Sequence, residues 1–183
     1  MKKIRYRREI GELISELGIS GDAAEIGVAE GLFAEEILTW PVKFPRVYLV
    51  DRWARNPAQK GDASNPTVWH EKNFRRVQEV VRRYSPRAVV LRGESVDMAR
   101  FVPDLSLAFL NIDGDHSFRG VLDDIHAWLP KVGPGGIIAF HDYLNPAYGV
   151  RDAVDLLAKA LKREVHLLPE NRDDDAGAYF ILD

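Results

Sequence analysis

An α/β fold built on a mostly parallel sheet is predicted by three features of this 183-residue chain. Short apolar runs alternate with helical patterns from residue 23 onward, with little filler between them. Two of the runs, 105–112 (LSLAFLNI) and 137–140 (IIAF), are too apolar for a half-exposed strand and suit strands covered on both faces. The last two runs, 164–168 and 178–182, flank the turn-rich stretch NRDDDAG, which has hairpin composition. Repeated βαβ units require right-handed crossovers with helices on both faces of the sheet, and the final pair closes one edge antiparallel.

The elements follow in order. Residues 4–17 carry Ile10, Leu13, Ile14 and Leu17 at helical spacing and stop at Gly18, so the leading segment 1–20 reads as an amphipathic helix. A strand is expected over 23–28, a helix over 32–40 ended by Pro41, and a second strand over 46–50 that runs into Asp51. Residues 52–66 (RWARNPAQKGDASNP) break the rhythm. A polar loop of that length in a compact domain is a lid, a binding segment or a disordered stretch. Then come a helix over 67–84, a strand over 88–92, a short helix over 96–101, the 105–112 strand, a helix over 118–129, the 137–140 strand and a helix over 150–161. With the closing pair this makes a seven-stranded, Rossmann-like sheet in one domain spanning 1–183.

Composition narrows the function. At 46% hydrophobic and 29% charged residues, the chain can bury one core but hardly two. Net charge is −3 and the basic residues are spread over helix faces, so nucleic acid is not expected as a partner. Cysteine is absent, which removes disulfides, thiolate zinc sites and thiol catalysis. The basic start is followed by Glu9, Glu12 and Glu16 rather than an apolar segment, and no run reaches membrane-spanning length. A cytoplasmic protein without a membrane partner is expected.

Ligands of open α/β sheets bind outside the carboxyl ends of the strands, and two clusters fall there. The first is EIGVAEG, residues 25–31, at the first strand-to-helix junction. Its glycine spacing is GxxxG rather than the GxGxxG of a dinucleotide site, and Glu25 and Glu30 flank it. Acidic flanks repel phosphate and suit a ligand bearing ammonium or sulfonium charge. Asp51, 20 residues beyond Gly31, is placed to accept ribose hydroxyls. The second cluster joins Asp113-Gly114-Asp115-His116 to His141-Asp142-Tyr143, so that carboxylates and imidazoles from neighbouring strands converge on one crevice. That pattern fits a reaction centre with a metal.

The segments AEIGVAEG, YLVDRW, RGES, NIDGDHSFRGVLDDI and PGGIIAFHDY, in this order, resemble class I S-adenosylmethionine-dependent methyltransferases. Within these the likeness is to the small-molecule O-methyltransferase branch that includes the macrocin and aminocoumarin sugar enzymes. The resemblance implies that Glu25, Gly27 and Gly31 line the methionine and ribose side of the cofactor, joined by Asp113, and that Asp51 holds the ribose. It places Trp53 near the adenosine or the substrate entrance, the alternative being a lid on the core. Gly93, Glu94 and Ser95 would hold the adenine, the alternative being a plain turn with Ser95 as helix cap. A divalent metal, Mg²⁺ or Mn²⁺, would be held by Asp113, His141 and Asp142. His141 departs from the family pattern, which commonly has a carboxylate there, and an imidazole shifts preference toward Mn²⁺, Fe²⁺ or Zn²⁺. Asp115 and His116 are both candidates for the base, against the simpler reading that Asp115 or Ser117 caps the next helix.

His70, His126 and His166 have no matched partners and read as structural or surface residues; Asp123-Asp124 and the Asp173 to Asp175 run read as solvated charge. The implied activity is methyl transfer from S-adenosylmethionine to a hydroxyl of a small molecule, a sugar or phenolic metabolite. A metal-independent transfer to nitrogen or carboxylate, and a non-catalytic cofactor-binding module, are the alternatives. Cover for the acceptor must come from the 52–66 loop, the segment after Asp142, or a second subunit of a homo-oligomer.

Overall fold

The computed structural model describes residue 4 and residues 6–59, 61–168 and 176–183. Seven strands form one sheet: β1 (Asp22–Ile26), β2 (Val47–Asp51), β3 (Ala88–Arg92), β4 (Leu107–Ile112), β5 (Val132–Phe140), β6 (His166–Leu168) and β7 (Gly177–Ile181). Their spatial order is β3-β2-β1-β4-β5-β7-β6. β1 to β5 pair in parallel, while β7 runs antiparallel between β5 and β6. The expected antiparallel hairpin is therefore present, but its second strand inserts and leaves β6 at the edge. Most of its connecting stretch, with Asp173 to Asp175, lies outside the described residues.

Helices cover both faces. α1 (Ile10–Glu16), α2 (Leu32–Thr39) and α3 (Thr67–Tyr84) bury Leu13, Ile37 and Val77 against Leu49, Phe109 and Ile137. On the other face α5 (Phe118–Trp128) and α6 (Val150–Leu161) bury Val121, Trp128 and Val154 against Ile26, Leu110 and Phe180; α4 (Ser95–Met98) lies at the end of β3. Phe109 and Leu110 are successive residues of β4 that serve opposite cores, as the alternation of a strand dictates. No helix among the described residues is long and apolar enough to cross a membrane.

Several boundaries differ from the sequence expectation. The leading helix is shorter, because Tyr6 is extended and a 3₁₀ turn at Arg7–Glu9 precedes α1. β4 starts at Leu107, since Leu105 adopts φ +55° and faces solvent. β5 begins five residues early, because Val132 pairs with Leu107 before the register shifts. The expected 96–101 helix divides into α4 and a 3₁₀ turn at Ala99–Phe101.

The chain runs outward from β1 through β2 to β3, then returns to build β4 and β5 on the other side of β1. The crevice for a ligand therefore opens where the order reverses, at the carboxyl ends of β1 and β4. Gly27 makes this closeness feasible. Its φ is +85°, and a Cβ there would lie 2.0 Å from the Asp113 carbonyl oxygen.

Candidate active site

A cavity of about 580 Å³ lies at this switch point, within the usual range for small-molecule sites. Its walls come from the ends of β1 to β5, from the 52–66 loop and from the start of α3.

Asp51 organises one half. Its Oδ2 accepts from the amides of Val28 at 3.0 Å and Ala29 at 2.9 Å, and its Oδ1 accepts from the amide of Trp53 at 2.6 Å. The carboxylate thus clamps the glycine turn while one face of it lines the cavity. Gly27 lines the cavity as well, whereas Gly31 sits behind it as the residue preceding α2, with φ +81°. Glu25 lies beneath the turn, 2% exposed, and its Oε2 has no hydrogen-bond partner. Burial, reinforced by the charge of Asp113, pushes its carboxyl well above the usual carboxylate range. Trp53 takes the core-lid position: it is 1% exposed, its Nε1 donates to the Ala29 carbonyl at 2.8 Å, and its ring packs on Phe74. It is not among the residues lining the cavity, and its indole holds the turn from below, as in the core-lid alternative.

Gly93, Glu94 and Ser95 line the far end. Ser95 is the first residue of α4 and does not cap it; its hydroxyl accepts from Trp128 Nε1 at 2.9 Å and hydrogen-bonds Asp124. Arg52 pairs with Glu94 at 3.1 Å and anchors the loop to this end.

Four ionisable side chains meet at the ends of β4 and β5. Donor atoms of Asp113, His116, His141 and Asp142 all lie within 4.8 Å of one another, a cluster able to hold a metal. Asp142 has φ +54°, and its Oδ2 lies 3.1 Å from His141 Nδ1 and 3.4 Å from His116 Nε2. Burial opposes charge on His116, but the hydrogen bond to Asp113 and the charges of Asp113 and Asp142 outweigh it and raise the imidazole above its ordinary value. The two imidazoles in turn hold Asp142 below its usual range despite partial burial.

Asp115 stands outside that cluster. Its Oδ1 accepts from the Ser117 amide at 2.9 Å and its Oδ2 from Gln59 Nε2 at 2.7 Å. Ser117 caps α5 by accepting from the Gly120 amide at 3.0 Å. Asp115 therefore supports the helix start and also faces the cavity. The structure brings His116 to the metal cluster, a role that its position in the sequence did not single out.

Other wall residues escaped the sequence reading. Gln59 and Tyr148 come from the two flanking segments, and the Tyr148 ring lies 4.6 Å from that of His116. His70, expected to be structural or surface, is buried at the cavity wall. Asp124, expected to be solvated, is also buried there, and burial lifts its carboxyl to about 6. Its register carried a signal, since Asp124 falls on the apolar stripe of Val121, Ile125 and Trp128. His126 is exposed and His166 stacks on Tyr179; neither lines the cavity.

A crevice at the switch point, lined by a glycine turn, an acidic clamp and a carboxylate-imidazole cluster, is where open α/β folds bind small-molecule ligands. The family described as a methyltransferase domain matches residues 24–143, from β1 to just past Asp142, and the chain belongs to that family. Uncharacterized protein y4gI of Sinorhizobium fredii is 27% identical over 135 residues, which are 74% of this chain and 13% of that protein. The chain thus spans only a small part of the curated relative it matches. The fold is shared with the O-methyltransferase NovP (23% identity, TM-score 0.68, 96% of this chain and 77% of that one). It is shared equally with the calicheamicin methyltransferase CalS11 (18%, 0.68, 95% and 77%) and with an O-methyltransferase from Bacillus cereus solved in complex with SAH (14%, 0.70, 97% and 80%).

Proposed function

We propose that the protein transfers a methyl group from S-adenosylmethionine to a hydroxyl of a small molecule, a sugar or a phenolic metabolite, with a divalent ion held by Asp113, His141 and Asp142. One observation carries the reading: the Asp51-clamped glycine turn and the ionisable cluster open into the same cavity. Family membership supports the reaction class, and the names of NovP and the Bacillus cereus enzyme support oxygen as the acceptor.

The acceptor oxygen attacks the sulfonium methyl carbon in line, the carbon–sulfur bond breaks with its electron pair passing to sulfur, and the hydroxyl proton passes to a base. Aligning these atoms in a closed site supplies much of the acceleration. The cluster's two carboxylates and two imidazoles fit a dication, which when bound supplies polarisation of the hydroxyl. Asp51 and the turn orient the ribose and methionine portions, and the two wall residues Asp115 and His116 are the alternatives for accepting the proton. The 52–66 loop and the segment carrying Tyr148 both contribute to the cavity wall and would cover the acceptor.

The test is calorimetry with S-adenosylmethionine, its demethylated product and NAD, followed by a turnover screen of hydroxylated acceptors with and without chelator. Binding of the two sulfur nucleosides without NAD, and chelator-sensitive methylation of a hydroxyl, are expected. Equal NAD affinity, or methylation confined to nitrogen or carboxylate acceptors, would overturn the proposal.

A further inference from the structure

We infer that His116 is a metal ligand rather than a proton acceptor, and that Asp113, His116, His141 and Asp142 together form a site selective for a first-row transition-metal dication over Mg²⁺. This deepens the methyl-transfer reading and rests on it for its catalytic consequence, although ion binding is measured without turnover.

The geometry is that of a closed ring in which imidazole and carboxylate alternate. His116 Nε2 lies 3.1 Å from Asp113 Oδ1 and 3.4 Å from Asp142 Oδ2; His141 Nδ1 lies 3.3 Å and 3.1 Å from the same two oxygens. Donors held about 2.1 Å from a shared ion sit about 3.0 Å apart at neighbouring octahedral corners and about 3.4 Å apart in a tetrahedron. All four of these nitrogen–oxygen separations fall in that interval, and the four donors lie within 4.8 Å of one another, as donors around one ion do. Neighbouring residues hold them there. Tyr148 packs against the His116 ring, and Asp142, in the left-handed backbone region, has its Oδ2 within hydrogen-bonding range of both imidazoles.

Ligand chemistry sets the selectivity. Mg²⁺ favours oxygen donors and keeps its waters, whereas neutral imidazole suits Mn²⁺, Fe²⁺, Co²⁺ and Zn²⁺. Two carboxylates with two neutral imidazoles also balance a dication's charge. With His116 engaged, the proton acceptor facing the cavity is Asp115, whose carboxylate lies outside the ring.

Chelator-stripped protein is titrated with Mn²⁺, Co²⁺, Zn²⁺ and Mg²⁺ by calorimetry, and the Co²⁺ complex is followed by visible absorption. We expect one equivalent of each transition metal, with Mg²⁺ about 100-fold weaker or worse. His116→Asn should lower Co²⁺ affinity about tenfold or more and shift the visible bands, and His141→Asp should narrow the gap between Co²⁺ and Mg²⁺. Thermal unfolding checks that each variant folds. Pulsed EPR of Mn²⁺ on the wild-type protein needs no variant: two coordinated imidazole nitrogens support the inference and one overturns it. Equal affinity for Mg²⁺, an unchanged Co²⁺ complex in folded His116→Asn, or no ion bound would also overturn it, the last leaving the ring as an ion-pair network. A protein that binds these ions as expected but methylates nothing would lose the proposed function and keep this one.

Discussion

Gln59 Nε2 donates to Asp115 Oδ2 over 2.7 Å, tying the middle of the 52–66 loop to a residue 56 positions later at the start of α5. Trp53 roots the start of this loop in the core, while polar bonds such as this one, contributing about 1.5–3 kcal/mol to a charged acceptor, hold its middle against the cavity.

Gln59→Ala should therefore make the loop easier to cleave by protease within 52–66 and raise KM for the acceptor, while the melting temperature stays within a few degrees of wild type. Saturating cofactor and acceptor should protect the wild-type loop. Cleavage that is the same in both proteins, with and without ligands, would remove Gln59 as a latch.

Asp51→Ala should weaken S-adenosylmethionine binding by about 1–3 kcal/mol, measured calorimetrically. The same change should also lower thermal stability, because three backbone amides lose their acceptor. A variant that binds cofactor as tightly as wild type would show that Asp51 serves the turn alone.

Asp113→Ala and Asp142→Ala should abolish turnover and leave cofactor affinity nearly intact, and added dication should rescue chelated wild-type protein. Asp115→Asn should slow the chemical step by roughly 10²- to 10⁴-fold, the usual range for a general base. Chelator-resistant activity in a protein tolerant of Asp113→Ala would favour metal-free chemistry.

Asp124 makes stability depend on pH in a definite direction. Its folded-state value of about 6 lies above the 3.8 of the free side chain, so the native state holds a proton that the unfolded state releases. Stability contributed here is present below pH 4 and lost as pH rises through 6, with a span on the order of 2–3 kcal/mol. Asp124→Asn should lack this component. Denaturant unfolding of both proteins between pH 4 and 7 checks it: the wild type should lose stability relative to the variant as pH rises, and parallel curves would contradict the assignment.

Much of the molecule was legible locally. Five apolar runs separated by helical periodicity demanded a parallel sheet, and the rule that such sheets bind at their carboxyl ends put Gly27, Asp51, Asp113 and Asp142 at one end of the sheet. These inferences succeed because strand ends are local features and the crossover rule carries them into space. β7's insertion between β5 and β6 was not legible, because hairpin composition does not say which of its strands meets the sheet.

What the sequence alone determined, then, was the fold class, the edge on which the site lies and the kinds of side chain gathered there. Only the tertiary structure decided their roles. Asp115 and His116 are adjacent in sequence, yet one joins Gln59 and the other joins the Asp113 ring, because side-chain direction in a loop depends on backbone angles and on partners far along the chain. Trp53 went to the core and Asp124 to the cavity wall for the same reason: periodicity specifies which face of an element is buried, but the packing of several elements together decides whether that burial faces a core or a ligand.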